Sequence, residues 1–157
     1  NIEAGKQQNP TVDTLKKSGC NDIIILKCTA SYPAPPEETN LQTISDYEKQ
    51  FDCLAGLSDH TLGIAVSIGA VALGAKVIEK HLLAHGDNKS VDSFFSLNPE
   101  QFAQMVKEIR VIEKAIGQVS YDIPKSAQKN LWGRRSLYVF CDIKKGDELF
   151  DNYFLEL

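Results

Sequence analysis

The sequence predicts an α/β protein built on a parallel sheet, and three observations carry that expectation. Runs that suit strands alternate with runs that suit helices from residue 10 to residue 117, which is the order of repeated βαβ units. The run Asp22-Ile-Ile-Ile-Leu-Lys-Cys28 is β-branched and lacks polar alternation, as strands covered on both faces do. Asn98-Pro99-Glu100-Gln101 opens a long amphipathic segment with a capping residue, Pro at the first helical position and Gln at the third, the signature of a helix start. A doubly wound sheet and part of a (β/α)8 barrel both satisfy this order.

Taken in chain order, a short helix is predicted over 10–18, with Asn9 as its cap, Pro10 at its first position and Gly19 closing it. The strand at 22–28 comes next. Residues 29–40 contain Pro33, Pro35 and Pro36 and read as a loop. Residues 41–51 suit a helix and 54–58 a second strand. Residues 61–73 are apolar on most faces and rich in small side chains, which suits a helix packed closely on a sheet. Gly74 ends that helix, and 75–81 reads as a third strand. Residues 82–97 read as a polar loop. In the last helix of this series, Phe102, Met105, Val106, Ile109, Ile112 and Ile116 share one face, and Gly117 terminates it. Past Gln118 the character changes: 120–132 is a polar linker, 134–143 a strand and 144–147 a turn. The predicted division is therefore a first domain over 1–120, a linker over 121–133, and a second domain opening at 134–157 that is too short to form its own core.

Composition bounds the function. The chain has 157 residues, 43% hydrophobic and 24% charged, an ordinary globular balance that argues against a disordered tail, a collagen and a coiled coil. A compact chain of this size buries roughly 70% of its unfolded surface. A net charge of −4 provides no general basic field for nucleic acid or an anionic membrane, so any bound anion is caught locally. Residues 1–10 are polar, without a basic or apolar leader segment. The longest apolar stretch, 64–77, is broken by Ser67, Gly69 and Gly74 and is too short to span a bilayer. The four cysteines, Cys20, Cys28, Cys53 and Cys141, form no CxxC pair, which suits reduced thiols and a cytoplasmic protein. Asn rather than Met at position 1 reads as the mark of a piece of a longer chain. Neither GxGxxG nor GxxxxGK[ST] occurs, so the nucleotide-binding versions of these folds find no support.

In open sheets and barrels alike, active sites collect at the carboxyl ends of the strands. Here those ends are Cys28-Thr-Ala-Ser-Tyr32, Leu57-Ser-Asp-His60 and Glu79-Lys-His81. Two of the three histidines thus emerge from adjacent strand ends. A pair of imidazoles can hold a divalent metal and leave positions open for substrate; the alternative is that each only hydrogen-bonds a neighbouring loop. Ser58 suits a phosphate oxygen, or turns the chain ahead of the next helix. Tyr32 suits a sugar, or covers the rim. Asp92 lies between the third strand and the last helix, where a lone acid is usually solvated. His85 and the pair Lys144-Lys145 are assigned no role.

Several long motifs carry a family resemblance. Leu26-Lys-Cys-Thr-Ala-Ser-Tyr-Pro-Ala-Pro35, Gly56-Leu-Ser-Asp-His-Thr61, Ala72-Leu-Gly-Ala-Lys-Val-Ile-Glu-Lys-His81, Ser96-Leu-Asn-Pro99, Arg134-Arg-Ser-Leu-Tyr138 and Asp142-Ile-Lys-Lys-Gly146 resemble, in order, the sialic acid synthase family. The resemblance implies the C-terminal part of a (β/α)8 TIM barrel, roughly its last three strands, followed by the start of a small antifreeze-like (SAF) domain. It implies condensation of phosphoenolpyruvate with an acetamido sugar, giving a nonulosonic acid and phosphate. By the same resemblance His60 and His81 are metal ligands, with Glu79 beside them in the catalytic group. Ser58 contacts phosphoenolpyruvate, and Tyr32 and Asp92 contact the sugar. The implied metal is Mn2+ or Mg2+, which suits a site of imidazole and oxygen donors. The implied protein is a cytoplasmic homodimer when full length, with neither nucleic acid nor membrane as partner, and 157 residues alone would be inactive.

Within the family, Lys27-Cys28, the Tyr-Pro-Ala-Pro stretch and Val91-Asp-Ser-Phe-Phe-Ser96 resemble pseudaminic acid synthases. Sialic acid synthases usually carry a histidine where this chain has Ser93; the alternative is nonetheless an N-acetylneuraminate synthase using N-acetylmannosamine. Phe94 and Phe95 offer an apolar wall for a less polar sugar, one of the two being ordinary core. Ala30, where the family often has Ser or Asn, and Leu83-Ala-His-Gly86 depart from the family pattern. Two competing readings are an inert piece with a structural role and an aldolase-like barrel using a Schiff-base lysine, Lys27 or Lys80. Neither lysine is expected at a strand end with a base beside it.

Overall fold

A computed structural model describes residues 10–84, 90–135, 137–148, 150 and 154–156. Strands β1 (Ile24–Cys28), β2 (Leu54–Asp59) and β3 (Val77–Lys80) form a parallel sheet in the order β1-β2-β3. They are linked by helices α2 (Thr43–Phe51) and α3 (Ala65–Ala72), with α1 (Pro10–Lys17) before the sheet and α4 (Pro99–Ile116) after it. The sheet is thus α/β and parallel, as the alternating runs predict.

β2 is the central strand, buried from Ala55 onward. Alternate residues of a strand face opposite sides. Ala55 and Leu57 turn toward the helices and join Ile44 of α2, Ala70 of α3 and Ala75 in one core cluster. Gly56 faces the other way, where a Cβ would fall against the Val77 carbonyl oxygen and 2.7 Å from Leu26 Cδ2. Glycine at 56 is what lets the three strands close up. A second cluster of Val12, Ile23 and Phe51 packs α1 against the start of β1 and the end of α2. In a third, Leu97, Met105 and Ile109 hold α4 against Ile64, Ile68 and Val71. The α4 cap is built as the sequence predicts: Asn98 Oδ1 accepts from the Gln101 N–H at 2.8 Å, and Gln101 Oε1 accepts from the Asn98 N–H at 3.0 Å.

Four expectations are corrected. β1 is half-buried rather than covered on both faces, with Ile24 48% exposed, because it pairs with a single strand neighbour in this sheet. α3 begins at Ala65, not at residue 61. The Thr61 N–H donates to Asp59 and the Thr61 carbonyl accepts from Lys80, and Gly63 at φ +72 breaks helical geometry. Residues 82–97 are not simply a polar loop. Phe95 and Leu97 are buried, the Leu97 N–H donates to the His81 carbonyl at 2.9 Å, and the Leu83 N–H donates to that of Leu97 at 2.8 Å. The segment therefore returns to lie parallel beside the end of β3, with Leu82 and Leu97 bridged. His85 lies outside the described residues. Finally, the strand expected over 134–143 is β4 (Leu137–Val139) only, paired antiparallel with β5 (Phe154–Glu156).

The linker region contains a short helix, α5 (Lys125–Gln128), and a 3-10 turn at Leu131–Gly133. The Lys144 N–H donates to Asp147 Oδ2 at 2.8 Å, closing the turn at 144–147. The chain divides into two compact units, Asn1–Gly117 and Gln118–Leu157. Among the described residues, no helix is long and apolar enough to cross a membrane.

Candidate active site

The register of the sheet sorts the strand-end residues. Ser58 pairs with Glu79, and Asp59 with Lys80, so His60 and His81 come directly after the last paired residues of their strands. Alternation places Ser58, Glu79 and the two histidines on one face, and Asp59 with Lys80 on the face covered by helices.

On the first face, the His60 and His81 ring centroids lie 5.2 Å apart in an edge-on arrangement. His60 is buried, whereas the His81 side chain is one-third exposed. His60 Nδ1 sits 3.2 Å from the Thr29 carbonyl oxygen and 3.8 Å from Cys28 Sγ. A carbonyl only accepts, so this contact favours the ring form with a hydrogen on Nδ1. His81 Nδ1 lies 3.8 Å from Asp92 Oδ2, and the negative carboxylate favours a hydrogen on that nitrogen as well. Imidazoles whose Nδ1–H faces a carbonyl or carboxylate are the donors typical of metal sites. Among the described residues no group of three or more His, Cys, Asp or Glu gathers as a metal site. The two imidazoles are donors of the type that divalent first-row cations accept.

Two more rings complete the cluster. Tyr32, half-exposed, lies 4.5 Å from His60 and 6.3 Å from His81 between ring centroids. Phe95, 3% exposed, lies 4.8 Å from His81 and 5.7 Å from Tyr32. The proline-rich loop is tied in by the Ala34 N–H, which donates to the His60 carbonyl at 2.9 Å. Two residues earlier on each strand, the Ser58 hydroxyl donates to Glu79 Oε1 at 2.6 Å. The sequence-predicted residues Tyr32, Ser58, His60, Glu79, His81 and Asp92 therefore lie together at one end of the sheet.

On the helix-covered face, Lys80 Nζ donates to Asp59 Oδ2 at 2.9 Å, and both side chains are 1% exposed. Asp59 also accepts from the Ser67 hydroxyl at 2.5 Å and the Thr61 N–H at 2.8 Å, while Lys80 donates to the Thr61 carbonyl at 2.8 Å. Burial works against the charged form of Asp59, but the hydrogen bonds from Ser67, Lys80 and Thr61 outweigh it and hold its carboxyl below the ordinary value. A base does stand beside Lys80, contrary to expectation. It binds the ammonium in a buried ion pair, which leaves no free amine for a Schiff base. Lys27 Nζ is occupied by Thr29 Oγ1 at 3.1 Å and the Cys28 carbonyl at 3.2 Å.

Sequence reasoning missed the Asp59–Lys80 pair and the placement of Phe95. Alternation could have assigned 59 and 80 to the face opposite the histidines, but only the register brings them together. The aromatic doublet at 94–95 was visible; Phe94 proves 63% exposed and Phe95 buried.

The NeuB family matches this chain over residues 3–121. The chain is similar to a pseudaminic acid synthase of Campylobacter jejuni, 44% identical over 126 residues that cover 80% of this chain and 37% of the relative. It is similar to an N,N'-diacetyllegionaminic acid synthase of Campylobacter jejuni, 41% identical over 139 residues, 87% of this chain and 42% of the relative. Among solved structures it is similar to the N-acetylneuraminic acid (sialic acid) synthetase of Leptospira borgpetersenii, with a TM-score of 0.66 and 32% identity over 78% of this chain and 43% of that one. The chain spans about two fifths of the length of the curated relatives it matches.

Proposed function

The chain belongs to the NeuB family, and we propose that the full-length protein condenses phosphoenolpyruvate with an open-chain 2,4-diacetamido-2,4,6-trideoxy sugar, as a pseudaminic acid synthase. In this reading β1 to β3 are the C-terminal strands of a (β/α)8 barrel, and 134–157 open an antifreeze-like domain. The observation that carries it is the pairing of His60 and His81 at 5.2 Å on the face that also holds Ser58 and Glu79.

The enol carbon of phosphoenolpyruvate is a weak nucleophile and an aldehyde a modest electrophile. His60 and His81 would hold a Mn2+ or Mg2+ ion, and the Lewis acidity it would supply there suits polarisation of the sugar carbonyl and the balancing of developing negative charge. One carbon–carbon bond forms, water adds at the former enol carbon, and the bond to phosphate breaks. Ser58 has one hydroxyl hydrogen, and Glu79 accepts it. A phosphate oxygen that takes over this hydrogen frees Glu79 to receive a proton from the attacking water. Tyr32, half-exposed beside His60, covers the sugar, and Asp92 accepts from a sugar hydroxyl. Holding both substrates at one place contributes through orientation.

The choice of sugar rests on the Val91-Asp-Ser-Phe-Phe-Ser96 segment. Phe94 offers an exposed ring, 5.2 Å from Phe95 between centroids, to the C6 methyl that N-acetylmannosamine lacks. Such an apolar contact discriminates on the order of 10–200-fold per methyl-sized group. Assays of the full-length enzyme with both sugars are expected to give the higher kcat/KM on the 2,4-diacetamido sugar. A higher value on N-acetylmannosamine would replace this reading with a sialic acid synthase.

A further inference from the structure

We propose that the buried Asp59–Lys80 ion pair positions the two histidines: it clamps the ends of β2 and β3 from the helix-covered face and so fixes the spacing of His60 and His81 on the other. The proposal rests on the reading of those histidines as a cation site.

Each member of the pair immediately precedes one histidine, and the two are the last paired residues of β2 and β3. Beyond them the carbonyls of His60 and His81 are tied to different segments, one to Ala34 and the other to Leu97. Those tethers hold each histidine to its own neighbouring loop and do nothing to join the two. The Ser58–Glu79 hydrogen bond also crosses between the strands, but its partners face substrate and are the groups asked to let go. The Asp59–Lys80 contact instead lies wholly inside the protein. Its carboxylate gathers donors from α3, from the turn after β2 and from β3, three elements converging on one group.

Stability alone does not explain a charge pair at this place. Buried ion pairs are often matched or bettered by apolar residues of similar size, because desolvation consumes the Coulombic gain. Directional bonds of 2.9 and 2.8 Å from Lys80 to Asp59 and to the Thr61 carbonyl define the separation of two strand ends more narrowly than apolar contact does. Sites of this kind depend on their ligands being held to within roughly 0.5 Å. Asp59 and Lys80 are thus positioning residues: they touch no substrate and act through the backbone of the histidines next to them.

The test is a Mn2+ titration of the substrate-free, full-length protein, monitored by electron paramagnetic resonance, alongside thermal melts. In the double variant Asp59→Asn with Lys80→Met, no charge is left unpaired; the Asn side-chain oxygen still accepts from the Thr61 N–H, and its amide nitrogen, in the place of Oδ2, donates to the Ser67 hydroxyl oxygen. We expect Mn2+ affinity to fall by about 10–100-fold, the range for residues that support metal ligands, while Tm stays within about 5 °C. Ser67→Ala removes one donor without any change of charge and is expected to weaken Mn2+ binding less, in the same direction. A folded double variant that binds Mn2+ as tightly as wild type overturns the proposal. If the double variant fails to fold, unchanged affinity in Ser67→Ala overturns it. Wild-type protein that takes up no Mn2+ overturns the metal reading itself, and this proposal with it.

Discussion

Residues that are neighbours in the chain meet opposite environments at the ends of β2 and β3. Asp59 and Lys80 are 1% exposed and bond to each other, to Ser67 and to Thr61 inside the protein. Ser58, Glu79, His60 and His81 occupy the other face, where Glu79 and Tyr32 are open to solvent. Both faces hold acids and bases, yet one is closed on itself and the other keeps donors and acceptors in reserve. The difference shows how two three-residue motifs, Ser58-Asp59-His60 and Glu79-Lys80-His81, present chemistry and brace it at once. Strand alternation assigns every second residue to each task.

The comparison breaks most severely on the open face. His60→Ala and His81→Ala are each expected to bring phosphate release by the full-length enzyme below about a tenth of wild type, a loss above ~1.4 kcal/mol in the barrier, with Tm nearly unchanged. A variant that retains more activity than that removes its histidine from the ligand set. Phe95→Ala removes a buried ring packed on His81 and is expected to lower stability by about 3–5 kcal/mol, read by chemical denaturation. Ile44→Ala, at a fully buried position under the helix-covered face, is expected to lower it by about 2–5 kcal/mol while Mn2+ affinity holds in whatever folds. Gly56→Ala pushes a methyl group against the Val77 carbonyl, and overpacking of this kind costs about 1–3 kcal/mol. Phe94→Ala is the mildest, within about 0.5 kcal/mol because the ring is exposed. Equal stability losses for Phe94→Ala and Phe95→Ala would show that the assignment of one ring to the core and one to the surface is mistaken.

Much of this arrangement is legible in the sequence. The capping box at Asn98–Gln101 and the 3.6-residue period after it suffice to set α4. The rule that sites gather at carboxyl ends of parallel strands suffices to bring His60 and His81 side by side. The start of α3 is not legible. Thr61 to Ile64 look as helical as Ala65 to Ala72, and the bonds of Thr61 to Asp59 and Lys80, together with Gly63 at φ +72, hold them out of the helix. The Asp59–Lys80 pair is hidden for a related reason: it joins residues 21 apart in the chain through a strand register that no local periodicity encodes. The return of Leu97 to the sheet is likewise a tertiary choice, made by its burial against Met105 and Ile109.

The most direct test of the central claim is phosphate release from phosphoenolpyruvate by the full-length enzyme. Release is expected only when the 2,4-diacetamido sugar and Mn2+ or Mg2+ are both present, and it should vanish when either the sugar is omitted or the metal is removed. Release that survives exhaustive chelation would contradict the role given to His60 and His81, and release without sugar would contradict the condensation itself.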